Sequence, residues 1–253
     1  MKKAYSILNL LVVLYPFLEM FIDKNQGKAI SSVDIQATNL FSPAGYAFAI
    51  WFFIYLGLLI FSIHQIRVAF GKTKDEDTLL KVGPFLILAL LINQFWSYQW
   101  QQGNIELSPY LLFASFACLM VIVVRLQMQI VEAPKAVRRY TWLPISLFSG
   151  WMMAASVVGL STYLSYLGLG SDATYVNWTV AVIIVVMLLY VYMLFTRNMV
   201  VFALVGVWTL VAIAIDHWSN STTLVWTALS AATLLIMAIL LKVLNKKNFA
   251  VIF

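Results

Sequence analysis

The chain has 253 residues, of which 63% are hydrophobic and 10% charged, with a mean hydropathy of +0.91. A soluble domain is about half apolar and about a quarter charged, so too little polar surface exists here to cover a water-soluble core, and the composition is that of an integral membrane protein. The net charge of +6 then reports loop topology and attraction to anionic headgroups, and no aromatic-interleaved basic stretch points to nucleic acid.

The first apolar stretch, 5–22, follows Lys2 and Lys3 and has the outline of a signal peptide. The residues after its core are Tyr15, Pro16, Phe17 and Leu18, with no small-x-small cleavage site, so the expectation is a retained first helix. A polar segment, 23–43, leads into seven further apolar stretches at 44–66, 82–100, 109–130, 141–163, 176–195, 198–215 and 222–243. About 20 apolar residues cross the hydrocarbon layer. Lipid offers the backbone no hydrogen-bond partners, and the strand alternation of a barrel is absent, so each stretch is expected to be a helix.

Charge sets the topology. With the N-terminus in the cytoplasm, every Lys and Arg except Lys24 and Lys28 falls on the inner side; an odd number of spans would scatter them over both sides. The predicted fold class is all-α, with eight transmembrane helices and both termini cytoplasmic, in a membrane expected to be the bacterial inner membrane.

Chemistry-bearing residues concentrate near the second, third and fifth stretches. FSPAGYAFAIWFFIYLGLL, 41–59, starts on Pro43 and Gly45, which are expected to let the preceding loop turn sharply into the helix. Phe48, Trp51 and Tyr55 follow at i, i+3, i+7, on one helical face. Asn93, Trp96 and Trp100 repeat that spacing, and Gly150 and Ala154 flank Trp151 as a small-xxx-small pair. Such pairs permit close helix contact, within one chain or across a homodimer. An aromatic face beside an amide can hold a flat apolar ligand; ordinary aromatic packing between helices is the alternative.

Trp142, Trp178, Trp218 and Trp100 lie at span ends, as an interfacial belt requires; Trp51, Trp96, Trp151 and Trp208 lie inside spans. Glu19, one turn from the outer end of the first helix, is the best candidate for a proton or polar site. Asp216 and His217 are read as reaching the interface, and His64 and Arg125 as snorkelling to the inner side. The single cysteine, Cys118, forms no intramolecular disulfide, and neither His64 nor His217 has metal-site spacing. No nucleophile–base pair or phosphate loop is present.

At these segments the sequence resembles the TspO/MBR family, the tryptophan-rich sensory proteins related to the translocator protein (peripheral benzodiazepine receptor). Gly45, Tyr46, Phe48, Trp51 and Tyr55 are similar to that family's second-helix motif. Asn93, Gln94, Phe95, Trp96 and Ser97 resemble its third-helix motif, and Trp151, Ala154 and Ala155 its fifth helix. The chain departs from the family in having one residue fewer between Phe48 and Trp51, Gly159 at the family's fifth-helix Asn, and YQWQQG after the Trp-Ser pair.

The resemblance covers about 1–165 and implies a five-helix TspO-like bundle there. The remaining 166–253 would add three helices to the same membrane domain, as in an extended eight-helix bacterial form. It also implies a hydrophobic small-molecule ligand, with a tetrapyrrole such as haem or protoporphyrin as the class, bound under the first outer loop by Tyr46, Phe48, Trp51, Tyr55, Asn93, Trp96, Trp151 and Ala154. No cofactor is required. Three functions stay open: a receptor or carrier for such a ligand, a proton-coupled transporter using Glu19, and a tetrapyrrole-degrading enzyme.

Overall fold

The segment before the second span shows how the fold is assembled. Ala44, in extended backbone after Pro43, leads into a 3-10 turn, Gly45–Ala49, which passes into a helix at Ile50. Pro43 is buried. Gly45 does not adopt a positive φ, and a Cβ added there would meet nothing within 4 Å, so the sharp turn expected of it is made differently. The Ala44 N–H donates to the Ala212 carbonyl at 3.1 Å and the Ala47 N–H to the Ala44 carbonyl at 2.9 Å. The bend is thus pinned by a distant helix instead of by glycine freedom.

The computed structural model describes residues 2–22, 39–71, 76–169 and 173–244. Among these it is helical, with no strand. The long helices are α1 (Lys2–Ile22), α2 (Ile50–Phe70), α3 (Glu76–Gln101), α4 (Ser108–Arg125), α5 (Leu143–Tyr166), α6 (Ala173–Arg197), α7 (Val200–Asp216) and α8 (Thr222–Leu244). Each coincides with one expected apolar stretch. Six of them, α2–α6 and α8, are long and apolar enough to cross a membrane, and α7 is an apolar helix of 17 residues. Most of the polar 23–43 segment, with Lys24 and Lys28, lies outside the described residues.

The helix ends follow local chemistry. Gly103 and Gly168, at φ +78° and +69°, close α3 and α5 with paired bonds back into the last turn: Gly103 to Trp100 and Asn104 to Gln99, then Gly168 to Ser165 and Leu169 to Leu164. The α6–α7 hairpin turns on Asn198 at φ +56°, a conformation Asn tolerates. The Asn198 amide donates to the Gln129 carbonyl at 2.9 Å, joining two loops at one end of the bundle.

Side chains at that end agree. The Lys3 ammonium lies 4.9 Å from the centre of the Phe70 ring, the Arg125 guanidinium 5.0 Å from Phe85, and the Lys242 ammonium 5.5 Å from Phe195. The described Lys and Arg residues lie at the starts of α1 and α3, in the short helical turns 135–142 that lead into α5, or at the ends of α2, α4, α6 and α8.

Packing makes α5 the centre. It contacts α2, α4 and α7, while α1 packs on α2 and α3, and α6–α8 form a cluster of their own joined through α7. The small residues serve these contacts. A Cβ on Gly150 would lie 3.1 Å from the Phe202 carbonyl oxygen and from Val205, and one on Gly206 would lie 2.5 Å from the Tyr190 ring. The Gly150–Ala154 seam therefore seats α7 of the same chain. The Tyr190 hydroxyl completes the joint by donating to the Gly150 carbonyl at 3.0 Å.

Candidate functional site

Three helices carry aromatic faces to one place because each repeats an aromatic every three or four residues. From α2 and its 3-10 turn come Phe48 and Trp51, from α3 Trp96 and Trp100, and from α5 Trp151, Ala154, Ala155, Val158 and Gly159. α4 adds Ser108 and Leu112, α7 adds Thr209, and Pro43 closes one end. The cleft between these walls has an empty volume of about 470 Å³, part of it open to the surroundings.

The rings interlock at right angles. Trp151 meets Phe48 edge to face at 5.7 Å and Trp51 at 6.2 Å between centroids, and Trp51 stacks on Tyr55 at 5.3 Å. Such edge-to-face and offset pairs contribute about 0.5–1.5 kcal/mol each beyond their buried area. The Trp96 indole N–H donates to the Ser108 hydroxyl at 2.8 Å, tying α3 to α4. The Thr209 hydroxyl donates to the Val205 carbonyl at 3.0 Å within its own helix.

Of the expected site residues, Phe48, Trp51, Trp96, Trp151 and Ala154 meet on this wall. Tyr55 and Asn93 lie behind Trp51, and the Asn93 amide donates to the Tyr55 hydroxyl at 3.4 Å instead of lining the space. Tyr46 is exposed and packs edge-on against Trp208 at 5.3 Å, outside the cavity. Glu19 is also apart from the wall. Its carboxylate accepts from the Gln94 amide at 3.0 Å and from the Tyr15 hydroxyl at 3.3 Å, clamping α1 to α3.

Three assignments change with the structure, and a fourth position gains its reason. Trp100 and Trp142, read as belt residues, are 3% and 2% exposed, and Trp100 is a cavity wall. His217, read as reaching the interface, is 4% exposed, and its Nε2 donates to the Leu40 carbonyl at 2.7 Å. Gly159 stands where a larger residue would collide: a Cβ there would lie 2.6 Å from Leu112 Cδ1. Leu112 thus occupies the space that an Asn at this position would need. Trp178 and Trp218 are exposed, as a belt requires.

The largest unanticipated feature is the strap 39–44 across the cavity end. Asn39, buried, makes four hydrogen bonds. Its amide donates to the Thr162 hydroxyl at 2.7 Å and the Val158 carbonyl at 3.3 Å; its carbonyl accepts from the Phe41 N–H at 3.0 Å and the Ser161 hydroxyl at 2.6 Å. The other side of the strap is held by α7, through His217 to Leu40, Ala212 to Ala44, and the Trp208 indole N–H to the Ala47 carbonyl at 3.0 Å.

The family model described as TSPO-like protein matches residues 4–241. The chain belongs to the TSPO-like protein family. The match runs through all eight long helices. No curated protein and no solved structure matches it. As a TSPO-like chain with apolar helices of membrane-crossing length, it is an integral membrane protein of a ligand-binding or transport family.

Proposed function

We propose that this TSPO-like protein is a membrane receptor or carrier for a flat, mainly apolar ligand of the tetrapyrrole class, held among Phe48, Trp51, Trp96, Trp100 and Trp151. The observation that supports it is the convergence of five aromatic side chains from three helices on one internal space. Planar rings bind such walls by stacking and by exclusion of water.

As it stands the cleft is too tight for a macrocycle, so loading requires the strap to lift and the indoles to part. Among the described residues no His, Cys or Met lines the wall. The wall therefore offers stacking and no axial ligand of the kinds that hold haem iron, and metal-free porphyrin is the fitting probe. The reading includes eight membrane crossings with both ends cytoplasmic, supported by the collection of described cationic side chains at one end of the bundle.

The test is a titration of detergent-purified protein with protoporphyrin IX, followed by quenching of tryptophan fluorescence, with Trp51→Phe/Trp96→Phe alongside. Saturable quenching that weakens by about tenfold in the double variant, corrected for the two lost fluorophores, is the expected result, since two stacked contacts each contribute roughly 0.5–1.5 kcal/mol. A linear, non-saturating response would sink the tetrapyrrole assignment.

A further inference from the structure

A second concavity, separate from the aromatic cleft, lies between α2 and α7 over α5. Ile50 and Phe53 line it from α2, Leu204, Val205 and Trp208 from α7, and Leu147 from α5. Ile50 and Val205 are buried while Phe53, Leu204 and Trp208 are exposed, so it is a groove with a buried floor and an exposed rim. Its empty volume is about 570 Å³, part of it open to the surroundings. The groove exists because α7 packs on α5 and on the 3-10 turn before α2, with little contact along α2 itself.

The chemistry of the wall restricts the occupant. Every lining side chain is apolar, and the one side-chain polar group, the Trp208 indole N–H, already donates to the Ala47 carbonyl at 3.0 Å. Water would find no side-chain partner there, and an empty groove would forfeit the dispersion contacts of its lining atoms. α2 and α5 are of membrane-crossing length, and the rim continues into the exposed apolar surface of α2 at Phe52 and Ile60. The groove is thus part of the surface that faces hydrocarbon. A helix of a second copy, about 10–12 Å across, is too wide to enter between α2 and α7, whereas an unbranched hydrocarbon chain is not.

We propose that this groove holds one acyl chain of a bilayer phospholipid as a resident lipid that braces α2 against α7. No cationic side chain lines the groove, so the chain is held by shape and the headgroup charge plays no part. The proposal rests on the protein lying in a membrane and is independent of what the aromatic cleft binds.

The test uses the full chain in bilayer nanodiscs containing a phosphatidylcholine with a photoreactive diazirine in one acyl chain. The labelled lipid is diluted out by exchange into unlabelled lipid, samples are irradiated at intervals, and the label is mapped by peptide mass spectrometry. Val185 and Leu188 of α6, which are exposed and lie outside the groove, report ordinary lipid contact. Leu204→Trp and Val201→Phe, at two groove-lining positions, fill the groove from α7, and a monodisperse elution profile identifies the usable variant.

The expected result is that label at 50–53 and 201–208 outlasts label at 185–188 during exchange. A filled groove should cut the retained label by at least about fivefold, since contact with the wall is what holds the chain. Phosphatidylglycerol with the same chains should behave alike.

Loss of groove label in step with α6 would mean passing lipid only and would overturn the proposal. So would retention that depends on headgroup charge, or retention unchanged in the filled variants. Absence of groove label before exchange, with a second copy cross-linked at 201–208, would assign the groove to a protein partner instead.

Discussion

Replacing Asn39 by Ala should unlatch the strap. The substitution deletes four hydrogen bonds at once. Thr162 remains satisfied because its hydroxyl donates to the Val158 carbonyl at 2.9 Å. The Phe41 N–H does not: Phe41 is fully buried, and the Asn39 carbonyl is its recorded acceptor. An orphaned buried donor costs about 1–3 kcal/mol and each ordinary bond contributes about 0.5–1.5 kcal/mol net, so closure of the strap should weaken by about 2–4 kcal/mol. At 1.4 kcal/mol per decade that is an open population raised about 30-fold to several hundred-fold.

Hydrogen exchange read by mass spectrometry is the direct assay, because it reports local opening separately from global unfolding. Amides in 41–47 should exchange faster by at least about tenfold, while those inside α5 keep their protection. Asn39→Asp, which keeps the acceptor for Phe41 and Ser161 but loses the donor, should fall between. Unchanged exchange in 41–47 for Asn39→Ala would refute the view that this side chain holds the strap shut.

Two further outcomes follow from the packing. Gly206→Leu drives side-chain atoms into the Tyr190 ring, which a bare Cβ already approaches to 2.5 Å. Overpacking of this kind costs about 1–3 kcal/mol, so the thermal midpoint in detergent should fall by several degrees, and an unchanged midpoint would show that α6 and α7 are not in close contact there. Glu19→Gln leaves the cavity wall untouched, so affinity for a stacked porphyrin should change less than twofold. If the same variant abolishes a pH-dependent uptake in vesicles, the proton-coupled transport reading gains what the cavity does not give it.

The helices were legible because an apolar run of about 20 residues has one stable answer in lipid. The aromatic wall was legible too: Phe48, Trp51, Trp96 and Trp151 share helical spacing or a small-residue flank, and the structure brings them to one space. Trp100 was ambiguous on physical grounds. A tryptophan at a span end satisfies both a headgroup belt and a buried face, and the i, i+4 relation to Trp96 could have tipped the choice. Asn39, Ala212 and His217 carry no local signal. Their meaning lies in contacts more than a hundred residues apart along the chain, Asn39 with Thr162 and Leu40 with His217, and neither periodicity nor composition encodes a partner at that distance.

Those long-range contacts bear on whether the first five helices form a unit. The resemblance covers 1–165 as a five-helix bundle and leaves α6–α8 as three further helices of the same membrane domain. Three of the bonds that fix the strap and the start of α2 nevertheless come from α7, through His217, Ala212 and Trp208. Thr209 supplies part of the cavity wall, and a Cβ added at Gly150 would meet α7 at the Phe202 carbonyl and at Val205. A chain ended at Leu169 would lose all of these and expose the Gly150 seam to lipid or to a second copy.

The expected outcome is a product that is polydisperse in detergent, or monodisperse with porphyrin affinity reduced at least about tenfold; adding 170–253 as a separate chain should restore binding. A truncated chain that is monodisperse and binds as tightly as the full protein would mean that α7 only rests against the site. Retained affinity would assign the recognition to α2, α3 and α5 alone, and the extra helices would need a different reason for being in the family's sequence pattern.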